Sequence, residues 1–460
     1  MTVKKKILIP INSDLYIRNY IKTDAFNTLK KKYSLFFIAN KIIKNVDELN
    51  NLKNFKGYFD YKKHENVRHQ RILNTLMWRY RKTSTSFIYR LKWFSQILEL
   101  KETKFKTLRY SFLKFLKVFK FRIFIQFFGS KLIFPLFRKF YMLKTKPNST
   151  LINFIKIISP DLILVPTQAQ CSMDNDLIKI SRHLKIKSIF LVDNWDNLSD
   201  KSIMWSKPDL IGVWGEQSKQ HAIKIQKFKK EQVINLGTPR FENYFKERQN
   251  IHPSHFDFKY ILFLGTALEF NEINVLKIID NFLIKNEIYK EKIKIVYRPH
   301  PWRMGKDKIF LSDHKNIIID PQVELAYLKN DFIDAKFQPD INYYTSLIKN
   351  SEFVVGGLTS MIIESSICYK NYIVTAFPEK KFNNQYNSLK YMVHFKELHS
   401  LKNVKISTNT NELEKHLSEL FLKTDVELDK NIIDEQRSYF LYDDNKDYST
   451  RLLDLVEKLI

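Results

Sequence analysis

Three short runs carry residue types able to hold a phosphorylated ligand, and the densest is Phe353 to Pro378. It opens with Phe353-Val354-Val355, an apolar β-branched run that reads as a buried strand end, broken by Gly356-Gly357. Thr359 and Ser360 follow where a helix N-cap belongs, and Ser360 to Ile367 carries apolar residues at helical spacing. Tyr372 to Ala376 is a second strand, closed by Pro378. Strand, glycine turn, hydroxyl-capped helix and strand make a βαβ unit whose helix start faces the carboxyl edge of a parallel sheet. Free N–H groups at such a start attract an anion, and the hydroxyls add donors to a phosphate. Glu364 lies about one turn in, on a face that could reach a ribose. The plain alternative is that Thr359 and Ser360 only cap a helix while Glu364 sits on a solvated face.

Other strand ends release polar residues in the same way. Lys259 to Leu264 ends at Gly265-Thr266, and Lys292 to Tyr297 ends at Arg298-Pro299-His300-Pro301. Earlier in the chain, Asp161 to Pro166 ends at Thr167-Gln168, and Lys187 to Val192 runs into Asp193-Asn194-Trp195-Asp196-Asn197-Leu198-Ser199. Asp209 to Trp214 ends at Gly215-Glu216-Gln217, where a helix begins, and Gln232 to Leu236 ends at Gly237-Thr238-Pro239-Arg240. Ligands of open α/β sheets bind at this edge. For Arg298 and His300 a functional role is favoured over a surface ion pair and a satisfied turn histidine; for Trp195 core packing is favoured. No cluster has metal-ligand spacing. The first turn, Pro10 to Asp14, is not a GxGxxG loop, so no dinucleotide site is expected there.

The elements that must position these residues alternate. Lys6 to Ile11 and Ser34 to Ala39 read as strands around a helix across Tyr16 to Lys32, and the alternation resumes after Asp161, which predicts a doubly wound α/β sheet. A chain of 460 residues exceeds what one core usually serves. Residues 1–250 are expected to form an N-terminal Rossmann-like domain, and 251–440 a C-terminal one, after a linker over His252 to Phe258. Residues 441–460 are expected to form a terminal helix that packs back on the first domain. Cys171 and Cys368 supply no disulfide framework, which suits a reducing cytoplasm. Neither a signal peptide nor a spanning helix is expected.

The net charge of +28 is concentrated. Between Tyr61 and Thr150 there are 22 Lys/Arg against 3 Glu, a net of +19, and Thr103 to Thr150 contains no acid. This basic, aromatic segment, 65–146, interrupts the alternation as a helical insertion. Phe112, Phe115, Leu116, Phe119 and Ile123 fall on one helical face, with Lys114, Lys117 and Lys120 on another. Such a helix suits an anionic membrane surface, contacted through residues 104–146, and places the protein in the cytoplasm, peripheral on the inner face of the cell membrane. The alternative is an insertion that packs its Phe residues inward. Nucleic acid is disfavoured as a partner, because no recognised binding motif accompanies the charge.

Taken in order, Val192 to Lys201, Pro208 to Glu216, Gly237 to Arg240, Arg298-Pro-His-Pro301, and Leu358-Thr-Ser360 with Glu364 resemble a bacterial surface-carbohydrate family. It comprises GT-B-fold glycosyltransferases and proteins similar to CDP-glycerol glycerophosphotransferases. The resemblance covers Asp161 to the C-terminus and leaves the basic insertion outside. It implies two Rossmann-like domains facing across a cleft. It implies a nucleotide-sugar or CDP-polyol donor held mainly by the C-terminal domain, a lipid-linked glycan acceptor, and no metal or other cofactor. A UDP-N-acetylglucosamine 2-epimerase-like enzyme shares the fold and the donor end, and a non-catalytic basic scaffold is the third reading. Carried over, Arg298 and His300 sit at the donor phosphates, Thr359 and Ser360 at the diphosphate, and Glu364 at the ribose; Gly265 and Thr266 complete the donor loops. Glycerophosphotransferases usually show Thr-Asp-Tyr-Ser-Ser where this chain has Gly356-Gly-Leu-Thr-Ser360, so an acid and an aromatic are absent. Transfer needs stabilisation of the departing phosphate, which Arg, His and helix N–H groups supply, and a base for the acceptor hydroxyl. Asp193, Asp196 and Glu216 are the candidate bases.

Overall fold

The computed structural model describes residues 4–43, 46–59, 66–100, 108–168, 172–201, 204, 206–248, 253–268, 270–287, 293–300, 316–328, 341–421 and 428–460. The chain divides into two compact units. The first comprises Met1–Pro239, Tyr391–His394 and Tyr442–Ile460; the second comprises Arg240–Lys390 and Phe395–Leu441. The first long segment of the first unit ends at Pro239, where a boundary at residue 250 was expected, and residues 253–258 of the expected linker lie inside the second unit.

The first unit is built on β1 (Lys6–Ile11), β2 (Ser34–Asn40), β3 (Phe55–Phe59), β4 (Leu162–Thr167), β5 (Lys187–Val192), β6 (Leu210–Val213) and β7 (Val233–Asn235). Their order is β3-β2-β1-β4-β5-β6-β7, and every pairing is parallel. Parallel strands covered on both sides read as continuous apolar runs, and β4 and β5 are buried almost throughout. Alternate residues serve opposite faces. Ile7, Ile9 and Leu164 join one core, with Tyr448, Leu452 and Leu455 of the helix Tyr448–Glu457; Leu8, Ile163 and Val165 join the other. The helix expected across Tyr16 to Lys32 is split into Asp14–Tyr16, a π-turn at Ile17–Ile21, and Asn27–Lys32. The break lies where the Thr23 hydroxyl donates back to Asn19 O and accepts from Ala25 N–H instead of leaving the backbone to continue the helix.

The basic insertion is helical over Asn66–Arg81, Ser84–Arg90, Leu91–Leu100, Leu108–Phe128 and Ile133–Lys144, and encloses its own small core of Leu73, Leu76, Met77, Ile125 and Phe134. Residues 104–107 of the expected membrane-contact segment, and the side chains of Phe112, Lys114, Phe115 and Lys117, lie outside what the structure describes.

The second unit holds β8 (Lys259–Leu264), β9 (Ile293–Arg298), β10 (Ile317–Ile319), β11 (Val354–Gly356), β12 (Tyr372–Thr375) and β13 (Val404–Ser407), again all parallel, in the order β10-β9-β8-β11-β12-β13. Both units are thus Rossmann-like. In each, the strand order reverses once, between β1 and β4 in the first and between β8 and β11 in the second. Loops that leave neighbouring strands in opposite directions open a crevice at such a point, and ligands bind there.

Candidate functional site

At the β8/β11 reversal, Gly265-Thr266, Pro299-His300 and Gly356 to Thr359 come together. A Cβ on Gly265 would lie 2.8 Å from the His300 amide nitrogen and 2.9 Å from Pro299 Cα, so only glycine lets the two loops approach this closely. Gly265 N–H donates to Arg298 O at 2.9 Å, which ties the end of β8 to the end of β9. Gln385, fully buried, then bridges the crevice. Its amide nitrogen donates to Thr266 Oγ1 at 2.9 Å and its oxygen accepts Leu358 N–H at 2.8 Å. Thr266 N–H also reaches Glu272 Oε1 at 3.3 Å. His300, Thr359 and Ser360 are all half-buried around this framework.

Two of the anticipated ligand residues are set deeper. The Arg298 guanidinium is 4% exposed, stacked 4.2 Å over the Tyr344 ring, bonded to Asp320, and bonded to Gln322 Oε1 at 2.8 Å. Its donors serve the β9–β10 edge, so a phosphate would reach it only after those bonds open. Glu364 is 1% exposed; Arg240 pairs with one of its oxygens, and the Tyr244 hydroxyl donates to the other at 2.7 Å. Both oxygens of that carboxylate therefore have a protein partner. The helix anticipated from Ser360 is short, Met361–Ile367, and the Ser360 side chain does not cap it; its hydroxyl accepts instead from Arg240 at 3.3 Å.

At the β1/β4 reversal of the first unit, a second polar cluster forms. Asp174, in the first turn of the helix Ser172–His183, accepts Asn12 Nδ2 at 2.6 Å and the Thr167 hydroxyl at 2.7 Å. Burial pushes its carboxyl up to about 7, against the pull of those two hydrogen bonds. Among the described residues no donor reaches the buried Asn12 Oδ1. Asp193, at the end of β5, accepts Asn19 Nδ2 at 2.8 Å and Gln168 Nε2 at 3.4 Å.

The remaining candidate bases lie along the same edge. Asp196 and Glu216 are half-buried; Asp196 accepts from Asn197 at 3.1 Å and Glu216 from Asn235 at 3.4 Å. Trp195 is 2% exposed and meets His394 edge to face, while the Ser199 hydroxyl lies 3.1 Å from His394 Nδ1. His221 is held neutral: burial, then His394 and Lys224, lower its pKa to about 3. Sequence reading passed over Asn12, Asp174, His394 and Gln385. Asp174 sits inside Met173-Asp-Asn-Asp176 with no informative spacing, and Gln385 acts across more than a hundred residues, so only the glycine positions on either side hinted at a close approach.

No family model matches this sequence, and no curated protein is significantly similar to it. Solved structures share its fold. A Listeria monocytogenes protein proposed to be a UDP-N-acetylglucosamine 2-epimerase superposes with a TM-score of 0.52 at 12% identity, over 99% of this chain and 96% of that one. The Methanocaldococcus jannaschii UDP-GlcNAc 2-epimerase in complex with UDP-GlcNAc and UDP gives 0.50 at 12% identity, over 98% and 99%. The wall teichoic acid polymerase TagF gives 0.46 at 13% identity, over 99% and 88%, too low to carry an argument. The chain therefore has a GT-B-type fold, with two Rossmann-like units.

Proposed function

We propose that this chain is a metal-independent transferase of surface-carbohydrate assembly. It takes a sugar or polyol phosphate from a nucleotide-activated donor and passes it to a hydroxyl of a lipid-linked or glycan acceptor. The observation that carries the reading is the β8/β11 crevice, where Gly265 brings the His300 amide against the end of β8 and Gln385 fixes Thr266 to Leu358. The His300 amide and the half-buried Thr359 and Ser360 hydroxyls lie at this reversal. These are the groups that hold a diphosphate and stabilise the charge left on it when the transferred group departs. Arg298 acts from behind, tying the ends of β9 and β10, and Glu364 ties its helix to Arg240 and Tyr244, while Thr359, Ser360 and His300 face the donor. Asp196 and Glu216, half-buried in the first unit, are the bases able to take an acceptor proton.

The test is a thermal-shift screen against UDP-, CDP-, GDP- and CMP-linked donors, followed by turnover of the donor that binds. A ligand at about 100 times its dissociation constant raises stability by about 2.7 kcal/mol. His300→Ala should keep the fold and cut turnover roughly 10²–10³-fold. Conversion of UDP-N-acetylglucosamine to an isomeric UDP-sugar without release of UDP would make the enzyme an epimerase. Failure of every donor to bind would make it a non-catalytic scaffold.

A further inference from the structure

The two helices Leu108–Phe128 and Ile133–Lys144 divide their large apolar side chains between two faces. Phe121, Phe124, Phe128, Phe137 and Tyr141 pack on the small core of Leu73, Leu76, Met77, Ile125 and Phe134. On the other face, Phe119, Ile123 and Phe127 of the first helix stand in solvent at successive turns. Leu132, Leu136, Phe140 and Leu143 do so along the second, with Leu132 85%, Leu136 71% and Leu143 76% exposed. Half of the exposed large apolar side chains among the described residues fall in this one hairpin. Monomers rarely leave such a stripe uncovered unless something binds it.

The charges on the same face identify what covers it. Lys120, Arg122, Lys131, Lys139 and Lys144 are exposed between the apolar residues, and residues 103–150 contain no acid. The Lys144 ammonium lies 4.6 Å over the Phe140 ring, so cation and apolar stripe share this surface. The core of a protein interface is depleted in lysine. Single-stranded nucleic acid uses cations and aromatic rings, but offers nothing to aliphatic Leu132, Leu136, Leu143 and Ile123. A bilayer surface accepts both sets at once: acyl chains take the Leu and Phe side chains, and lipid phosphates take the cations. Among the described residues no helix is long and apolar enough to cross a membrane.

We propose that this hairpin docks the protein on an anionic lipid surface, with the exposed face lying in the headgroup boundary. The proposal is independent of the nucleotide chemistry. It keeps Phe119 and Ile123 of the expected face and carries the stripe on through Phe127, Leu132, Leu136 and Phe140 to Leu143.

The experiment is co-sedimentation of the full chain with vesicles of phosphatidylcholine alone or mixed with phosphatidylglycerol, at low and high salt. Wild-type protein should bind the mixed vesicles and leave them as salt rises. A Leu136→Ser/Phe140→Ser/Leu143→Ser variant should bind roughly tenfold or more weakly, with its thermal midpoint unchanged because these side chains are exposed. A Lys131→Glu/Lys139→Glu/Lys144→Glu variant should lose about fivefold per cation. If the serine variant unfolds, Leu132→Ser alone serves, and should still weaken binding measurably. Equal binding to neutral and mixed vesicles, or full binding by the serine variant, overturns the proposal. So does release of the vesicle-bound protein by an oligonucleotide, which would make the face a nucleic-acid surface. Concentration-dependent self-association that the serine changes abolish, without vesicle binding, would make it an interface between copies.

Discussion

Two buried carboxylates, one in each unit, are held in opposite ways. Glu364 is matched by Arg240 and by the Tyr244 hydroxyl, so its charge is compensated where it lies. Among the described residues Asp174 is held by the Asn12 amide and the Thr167 hydroxyl and by no cation, and burial lifts its pKa to about 7. A compensated charge fixes structure and leaves the surrounding backbone to bind ligand. An uncompensated acid near neutrality can hold or release a proton, so the first unit keeps a titratable group where the second keeps a rigid frame.

The strongest way to break this contrast is to strip the compensation. Arg240→Ala should cost about 3–5 kcal/mol in denaturant unfolding, because Glu364 is left buried without its cation, on the Tyr244 hydroxyl alone. Adding Glu364→Gln should recover most of that loss, whereas no recovery would mean that Arg240 contributes chiefly by packing. The second prediction concerns pH. The native state keeps the Asp174 proton up to about pH 7, while the unfolded chain loses it near pH 4. Between those values the native state binds more protons, so this group makes stability fall by about 1.4 kcal/mol per pH unit as pH rises. Comparing unfolding of wild type and Asp174→Asn from pH 4 to 8 isolates the slope, and parallel curves would refute the raised pKa. The smallest effect is expected at Gly265→Ala. Its methyl would meet the His300 amide and Pro299, costing about 1–3 kcal/mol of strain. The variant should also weaken nucleotide binding while leaving the Asp174 slope untouched.

Much of the fold was legible because buried parallel strands are continuous apolar runs. Lys6–Ile11, Lys187–Val192 and Lys259–Leu264 lie where the sequence puts them, and β11 and β12 differ by a residue at their ends. Of the four edge strands β7 was anticipated, while β10 and two others were missed: Phe55–Phe59 is interrupted by Lys56 and Gly57, and Val404–Ser407 mixes Lys405 and Ser407 into a run too short to show a period. At the site, strand ends pointed to Gly265, His300 and Thr359, which lie at the β8/β11 reversal. Strand ends say nothing about which way a long side chain turns, and Arg298 and Glu364 turn inward to Asp320 and Arg240. Such pairings span tens to hundreds of residues and leave no periodicity to read.

The return of the chain to its first unit has a consequence for biosynthesis. Domains emerging from the ribosome usually fold in the order in which they are made. Here Tyr448, Leu452, Leu455 and Val456 complete one face of the first unit's sheet, although they are translated after the strands of the second unit. The second unit ends at Leu441 and has all its strands before that helix exists. The first unit's sheet is therefore begun before the second unit and completed after it, and a nascent chain halted short of Tyr448 exposes the apolar surface that this helix covers.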